Sequence, residues 1–295
     1  MKSRHKAILL IILSALSFAF MNMFVRMSGE LPSIQKSFFR NLVAFGIAAA
    51  IMIRKKEHFH VEKGNWRYMF LRAAFGTVGI LCNFYAVDHL VLSDASMLNK
   101  MSPFFVIIFS YLILKEKLTP VQVSAVIGAF IGSLFIIKPT FLNMDLLPSL
   151  VGFTGGLAAG IAYTMVRKLG QRGQTGNSVV LFFSGFSCLC TLPYLLLNYT
   201  PMTMYQAIML LCAGAAAAGG QFSITAAYFH APAREISVYD YSQIIFSAII
   251  GYIMFNQIPD GYSVLGYVII IAMAVWMFIY NNKPAREKAR ATDQD

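Results

Sequence analysis

Apolar residues run along this chain in long blocks, separated by short polar clusters. A helix needs about twenty mostly apolar residues to cross the hydrocarbon core of a bilayer. Ten blocks meet that length: 7–25, 34–53, 67–87, 92–114, 118–137, 147–166, 177–197, 205–228, 234–256 and 262–281. The clusters between them carry turn and charge signals, as in Gly29-Glu30-Leu31-Pro32, Arg54-Lys55-Lys56-Glu57, Gly170-Gln171-Arg172-Gly173 and Pro259-Asp260-Gly261. The connections are short, so no soluble domain is inserted. The first block follows Lys2, Arg4 and Lys6, as in a signal peptide. It is too long for one and no small-x-small cleavage site closes it, so it is read as an uncleaved first span.

The chain also resembles itself when shifted by 141 residues. Val25-Arg26 then meets Val166-Arg167, His89 meets His230, Asp94 meets Glu235, Ser96 meets Ser237, Asn99 meets Asp240 and Glu116 meets Gln257. The shift carries span one onto span six and span four onto span nine. Five spans per half is an odd number, so the second half must enter the membrane upside down. The expected fold is an all-α membrane protein of ten transmembrane helices in two inverted five-helix repeats. Residues 1–139 form the first repeat (spans one to five), residues 140–282 the second (spans six to ten), and residues 283–295 a basic tail. Inverted repeats are a signature of secondary transporters, because two halves of opposite orientation can open a central site to either side at similar energy. An inverted-repeat channel shares the symmetry and needs a continuous pore.

Composition narrows the class further. Of 295 residues, 58% are hydrophobic and 13% charged, against roughly 45–50% and about 25% in soluble domains. A soluble enzyme, a disordered chain and a coiled coil are excluded. The net charge of +11 fits either a nucleic-acid partner or cytoplasmic loops. With the N-terminus inside, 18 of the 24 basic residues fall on the inner side, and only Arg26, Lys36 and Lys138 on the outer. That asymmetry predicts both termini in the cytoplasm of a cell membrane, and no nucleic-acid partner is needed to explain the charge. Cys82, Cys188, Cys190 and Cys212 lie in apolar runs without metal or disulfide spacing. No Gly-rich phosphate loop is present. No cofactor and no metal are expected.

One stretch has a familiar shape. Asp94-Ala95-Ser96-Met97-Leu98-Asn99-Lys100-Met101-Ser102-Pro103-Phe104-Phe105 leads to Lys115-Glu116-Lys117-Leu118-Thr119-Pro120, followed by Gly128 and Gly132. This resembles the EamA-type half-repeat of the drug/metabolite transporter superfamily: an Ala-bearing helix start, a mid-helix Pro, a Glu at the helix end, then a Gly-bearing helix. The second half departs from the pattern, with Ile244 in place of Pro103 and Gln257 in place of Glu116. The resemblance implies a ten-helix bundle around a central cavity lined by spans one to four and six to nine. Relatives move amino acids, other metabolites, cationic drugs, nucleotide sugars or sugar phosphates.

Ionisable groups within a bilayer are costly and face a cavity or a partner. Lys100 lies eight residues into span four, about 12 Å deep at 1.5 Å per residue. It is a candidate for binding a carboxylate or phosphate, or a partner for an internal acid. Asp240, the mate of Asn99, suits proton coupling or amine binding, or a static pair with Lys100 or Arg72. Arg40 offers a guanidinium fork for a carboxylate. Arg72, near the inner end of span three, is read as snorkelling to the interface. Asp94 and Glu235 are read as acids at helix N-termini. The substrate-binding candidates are Arg40, Asn99, Lys100, Asp240, Tyr241, Tyr239, Gln243, Asn22 and Tyr163, with Asp240 as the proton-coupling group. Asn83, Tyr85 and Gln221 are further polar positions that a pocket could use. The Gly stripes at 152, 156 and 160 and at 128 and 132 are read as packing within the chain, with a homodimer contact through span five as the weaker alternative.

The expected activity is secondary active transport of small metabolites by alternating access. Amino acids or related zwitterions are favoured as substrate, and export or exchange over import. Multidrug efflux of lipophilic cations is the alternative; Arg40 and Lys100 would repel such cargo. A membrane-embedded enzyme or receptor is the remote one, since no nucleophile–base pair, metal cluster or sensor domain is read.

Overall fold

The computed structural model describes residues 2–114, 119–137, 145–230 and 239–292, and the secondary structure there is helical. Glu116, Glu235 and Ser237 lie outside the described residues, as do Lys115, Lys117, Lys138 and Arg234. The helices are α1 (Lys2–Met27), α2 (Ser33–Arg54), α3 (Trp66–His89), α4 (Leu92–Asn99), α5 (Ser102–Leu114), α6 (Pro120–Ile137), α7 (Leu146–Gln171), α8 (Gly176–Leu197), α9 (Met204–His230), α10 (Ser242–Phe255) and α11 (Gly261–Thr292). Among the described residues, nine segments are long and apolar enough to cross a membrane, α4 and α5 counting as one; Ser242–Phe255 is a shorter apolar helix. The proposed tail boundary at 282 falls inside α11, which runs on to Thr292.

Span four, expected as one helix, is broken. Asn99 ends α4 and Ser102 begins α5. Pro103 accounts for the break: it has no N–H to return to Asn99 O, and its ring crowds the preceding turn. The Met101 N–H instead reaches Leu98 O at 3.2 Å, three residues back. A second interruption falls 141 residues on. Residues 239–240 are helical, Tyr241 is a turn, and α10 begins at Ser242. Ile244 N–H bonds Tyr241 O at 3.0 Å, again three residues back. The second break therefore forms without a proline.

The exposed helix faces are apolar, and many polar side chains of the spans are buried among apolar core residues, as suits segments in lipid. Leu9, Ile53, Ile127, Leu189, Leu196 and Val268 are exposed, whereas Ser14, Asn22, Asn41, Ser96 and Ser187 are buried. Buried polar pairs fasten neighbours together. Ser14 Oγ donates to Gly220 O at 2.8 Å between α1 and α9. Asn41 Nδ2 donates to Ser187 Oγ at 2.8 Å between α2 and α8. The Ser96 and Ser247 hydroxyls lie 2.7 Å apart between α4 and α10. The most extensive packing is of α1 along α9 and α3 along α7, then α6 on α11 and α2 on α8.

The Gly128/Gly132 stripe of α6 faces α11 of the same chain. A Cβ at Gly132 would come within 2.8 Å of Ile270 Cγ1 and 3.2 Å of Gly266 O. That stripe is thus already covered by an intrachain helix. Gly132→Val is expected to wedge α6 from α11 and lower stability by about 1–3 kcal/mol, the usual cost of overpacking. Thermal unfolding in detergent measures it.

Candidate functional site

An internal cavity of about 70 Å³ lies between the two interrupted spans. Its polar lining is Asn22 (α1), Arg40 (α2), Arg72 and Asn83 (α3), Asn99 and Lys100 (the break of span four), Tyr163 (α7), Gln221 (α9) and Gln243 (α10). Phe18, Met21, Ile80 and Phe183 supply much of its apolar wall. Of the nine sequence-predicted residues, Asn22, Arg40, Asn99, Lys100, Tyr163 and Gln243 meet here. Asp240, Tyr239 and Tyr241 do not line it. Tyr239 stacks edge-on against Phe278 at 5.8 Å, and buried Tyr241 against Phe104 at 6.3 Å.

Lys100 and Asp240 form an ion pair across the two breaks, Nζ donating to Oδ2 at 2.6 Å, with both residues buried. The pair joins the end of α4 to the turn before α10. It also leaves Asp240 Oδ1 buried without a hydrogen-bond partner.

Arg40 and Arg72 are different. Both are buried and neither faces an acid among the described residues. Arg40 donates through Nη1 to Asn41 Oδ1, while its Nε has no partner. Arg72 corrects its sequence reading: it is 3% exposed and lines the cavity, so it does not snorkel. Its guanidinium lies over the Phe183 ring, 4.0 Å from the centroid, with Nε unpartnered. Amide side chains complete the polar wall. Asn83 Nδ2 donates to Asn22 Oδ1 at 3.1 Å, leaving Asn22 Nδ2 and Asn83 Oδ1 free, and Gln243 Oε1 is also free. Buried amide atoms normally find partners, so this cluster is suited to a polar guest.

Hydrogen bonds and an ion pair link the helices at both ends of the bundle. At the end bearing Arg172, that residue's Nε donates to Asn65 Oδ1, and Gln174 Nε2 donates to His60 O at 2.7 Å. At the opposite end Lys36 pairs with Asp88 at 2.6 Å, and Gln35 and Thr200 exchange two hydrogen bonds. Arg26 donates there to Leu90 O at 2.6 Å. Asp94 does sit in the first turn of α4, where it accepts from Tyr267 OH. The four cysteines are free thiols, and no metal-binding cluster occurs among the described residues.

Comparison with known proteins bears on what such a bundle does. Residues 5–138 match the EamA-like transporter family. The pseudopaline exporter CntI of Pseudomonas aeruginosa is 29% identical over 270 residues, covering 91% of this chain and 94% of that protein. Human solute carrier family 35 member G1 is 26% identical over 278 residues, covering 90% and 76%. The riboflavin transporter of Brucella anthropi is 25% identical over 271 residues, covering 87% and 91%. A solved crystal structure superposes with a TM-score of 0.72 at 13% identity, over 95% of this chain and 99% of that one, a likeness of fold alone. The chain thus carries an EamA-like transporter domain at residues 5–138 and has homologues in the drug/metabolite transporter superfamily along some nine-tenths of its length.

Proposed function

We propose that this transporter exports or exchanges small carboxylate-bearing metabolites, amino acids and related zwitterions foremost, by alternating access around the central cavity. The observation that carries this reading is Arg40: a buried guanidinium with no acid opposite among the described residues, in a wall that also holds Arg72, the paired Lys100, amide side chains and aromatics. An isolated buried cation is costly, and a substrate carboxylate would satisfy it in the bidentate geometry that a guanidinium favours. Lipophilic cations would meet two like charges here. The name of the pseudopaline exporter relative supports export over import.

Two inverted repeats, 1–139 and 140–282, supply the alternating motion. Mate residues 141 apart support them, because they make matching contacts. Gly220 faces Phe18 and Gly79 faces Ala159; Ser14 reaches Gly220 O and Gly155 lies against Gly79 O. His89 and His230 both place Nδ1 2.8 Å from the carbonyl four residues back. The cavity wall repeats too, in Phe18 and Ala159, Met21 and Ala162, Asn22 and Tyr163, Ile80 and Gln221. Ten crossings, with span nine running through the break at Tyr241, fit this symmetry. The basic residues around the Arg172 end favour that end, and both termini, in the cytoplasm of a cell membrane.

The test is counterflow in proteoliposomes. Amino acids loaded inside should draw in labelled amino acid, and Arg40→Ala should cut the initial rate by about tenfold or more, as expected for a lost charge-assisted hydrogen bond. Uptake of none of the amino acids by the unaltered protein, or full uptake by Arg40→Ala, refutes the reading.

A further inference from the structure

The second guanidinium extends the site. Arg72 is held by two features of the fold. Its side chain folds forward along α3 over Gly76, one turn on: a Cβ at that glycine would overlap Arg72 Nη1 and approach Phe183 Cε2 to 2.8 Å. Phe183, from α8, covers the guanidinium face at 4.0 Å. A planar cation stacked on an aromatic face and lodged over a glycine has little rotamer freedom left. Its edge, with Nε unpartnered, borders the cavity that Arg40 also borders.

The charge here is one-sided. Residues 141 further on from Arg40 and Arg72 are Leu181 and Ala213, neither of them charged. Asp240 does not offset the two cations, because Lys100 already neutralises it. A zwitterion with one carboxylate would satisfy one guanidinium and leave the other buried and unpaired. Resting on the transporter reading above, we infer that Arg40 and Arg72 form a two-guanidinium site for a ligand with two negative charges, with Gly76 and Phe183 as the residues that position Arg72. A dicarboxylate and a phosphomonoester share that chemistry, and isosteric acid and neutral probes tell them apart.

The experiment uses the purified full chain in detergent and reads ligand-dependent thermal stabilisation, which converts to a dissociation constant. The probes are L-glutamate against L-glutamine, and O-phospho-L-serine against L-serine. At least one acid should bind tenfold or more tightly than its neutral partner. Stronger discrimination in the first pair identifies a dicarboxylate site, and in the second a phosphate site. Gly76→Ala keeps both charges but displaces the Arg72 guanidinium and crowds the Phe183 ring; it should bring the ratio toward one. Arg72→Gln should do the same, while Arg72→Lys, a point charge without the fork, should restore it only in part. A ratio near one for both pairs in the unaltered protein overturns the inference, as does a ratio that survives in both Gly76→Ala and Arg72→Gln. Absence of stabilisation by all four probes also overturns it. Failure of the broader reading is separate, since it appears as absent amino-acid counterflow.

Discussion

Asp240→Asn is expected to destabilise the protein by about 3–5 kcal/mol, the usual cost of stranding one member of a buried pair. Among the described residues, Asp240 is the one acid at hydrogen-bonding distance from Lys100, at 2.6 Å. Its removal leaves an ammonium, 3% exposed, at the end of α4. Lys100→Met should cost a similar amount by leaving a carboxylate whose Oδ1 already lacks a partner. The informative result is the double variant. Lys100→Met with Asp240→Asn removes both charges, so it should recover much of the loss, because a buried pair replaced by apolar or neutral groups is often close to neutral. Thermal unfolding in detergent, run as a double-mutant cycle, measures the coupling. Equal and additive losses would mean that the pair is not formed. The same double variant examines the proposed coupling role: if Asp240 carries the proton, substrate exchange should persist while stimulation by a pH gradient disappears.

The ion pair also shows how far a sequence can be read in this chain. Blocks of apolar residues locate helices well, because lipid demands about twenty apolar residues wherever a span occurs. The blocks read at 34–53, 177–197 and 205–228 fall within α2, α8 and α9 with ends a few residues apart. The fourth block reads as unbroken even with Pro103 in it, since a proline in a membrane span need not end the helix. Pairing is harder to see. Both the lipid-facing and the packed faces of a span are apolar, so periodicity does not tell which helix α1 or α3 will lie against. Lys100 and Asp240 stand out in the sequence as candidates and as possible partners, but only the crossing of α4 with α10 brings the two side chains together. Arg72 shows the opposite failure. Its depth along span three suggested snorkelling, because distance from a helix end is all that one helix offers. The signal that redirects it lies partly in Gly76, one turn on, and partly in Phe183 on α8, which only the folded chain brings over it.

The other large effect concerns backbone contact at the break of span four. The α7 residues Gly152, Gly156 and Gly160 lie along α4 and α5. A Cβ at Gly156 would overlap Leu98 O, and one at Gly160 would overlap Phe105 Cβ and stand 3.1 Å from Ser102 O. Such overlap with a carbonyl oxygen cannot be relieved by turning a side chain; the helices must separate. Gly156→Ala is therefore expected to cost about 3 kcal/mol or more, the upper end of overpacking, despite the better helix propensity of alanine. Gly46→Ala in α2 is the control. Nothing lies within 4 Å of its added methyl, so it should stabilise by about 0.5–1 kcal/mol through propensity alone. Gly152→Ala should fall between, since its Cβ would meet only side chains, at 3.1 Å from Ala86 Cβ and 3.3 Å from Leu98 Cδ1. The functional consequence follows from position. Leu98 directly precedes Asn99 and Lys100, which line the cavity. Pushing that segment off α7 would move the cavity wall and the Lys100–Asp240 pair together. Transport by Gly156→Ala should then fall even at temperatures where the protein remains folded, whereas Gly46→Ala should transport normally. If both alanine variants unfold at the same temperature, α7 does not approach the break as closely as the contact with Leu98 O requires.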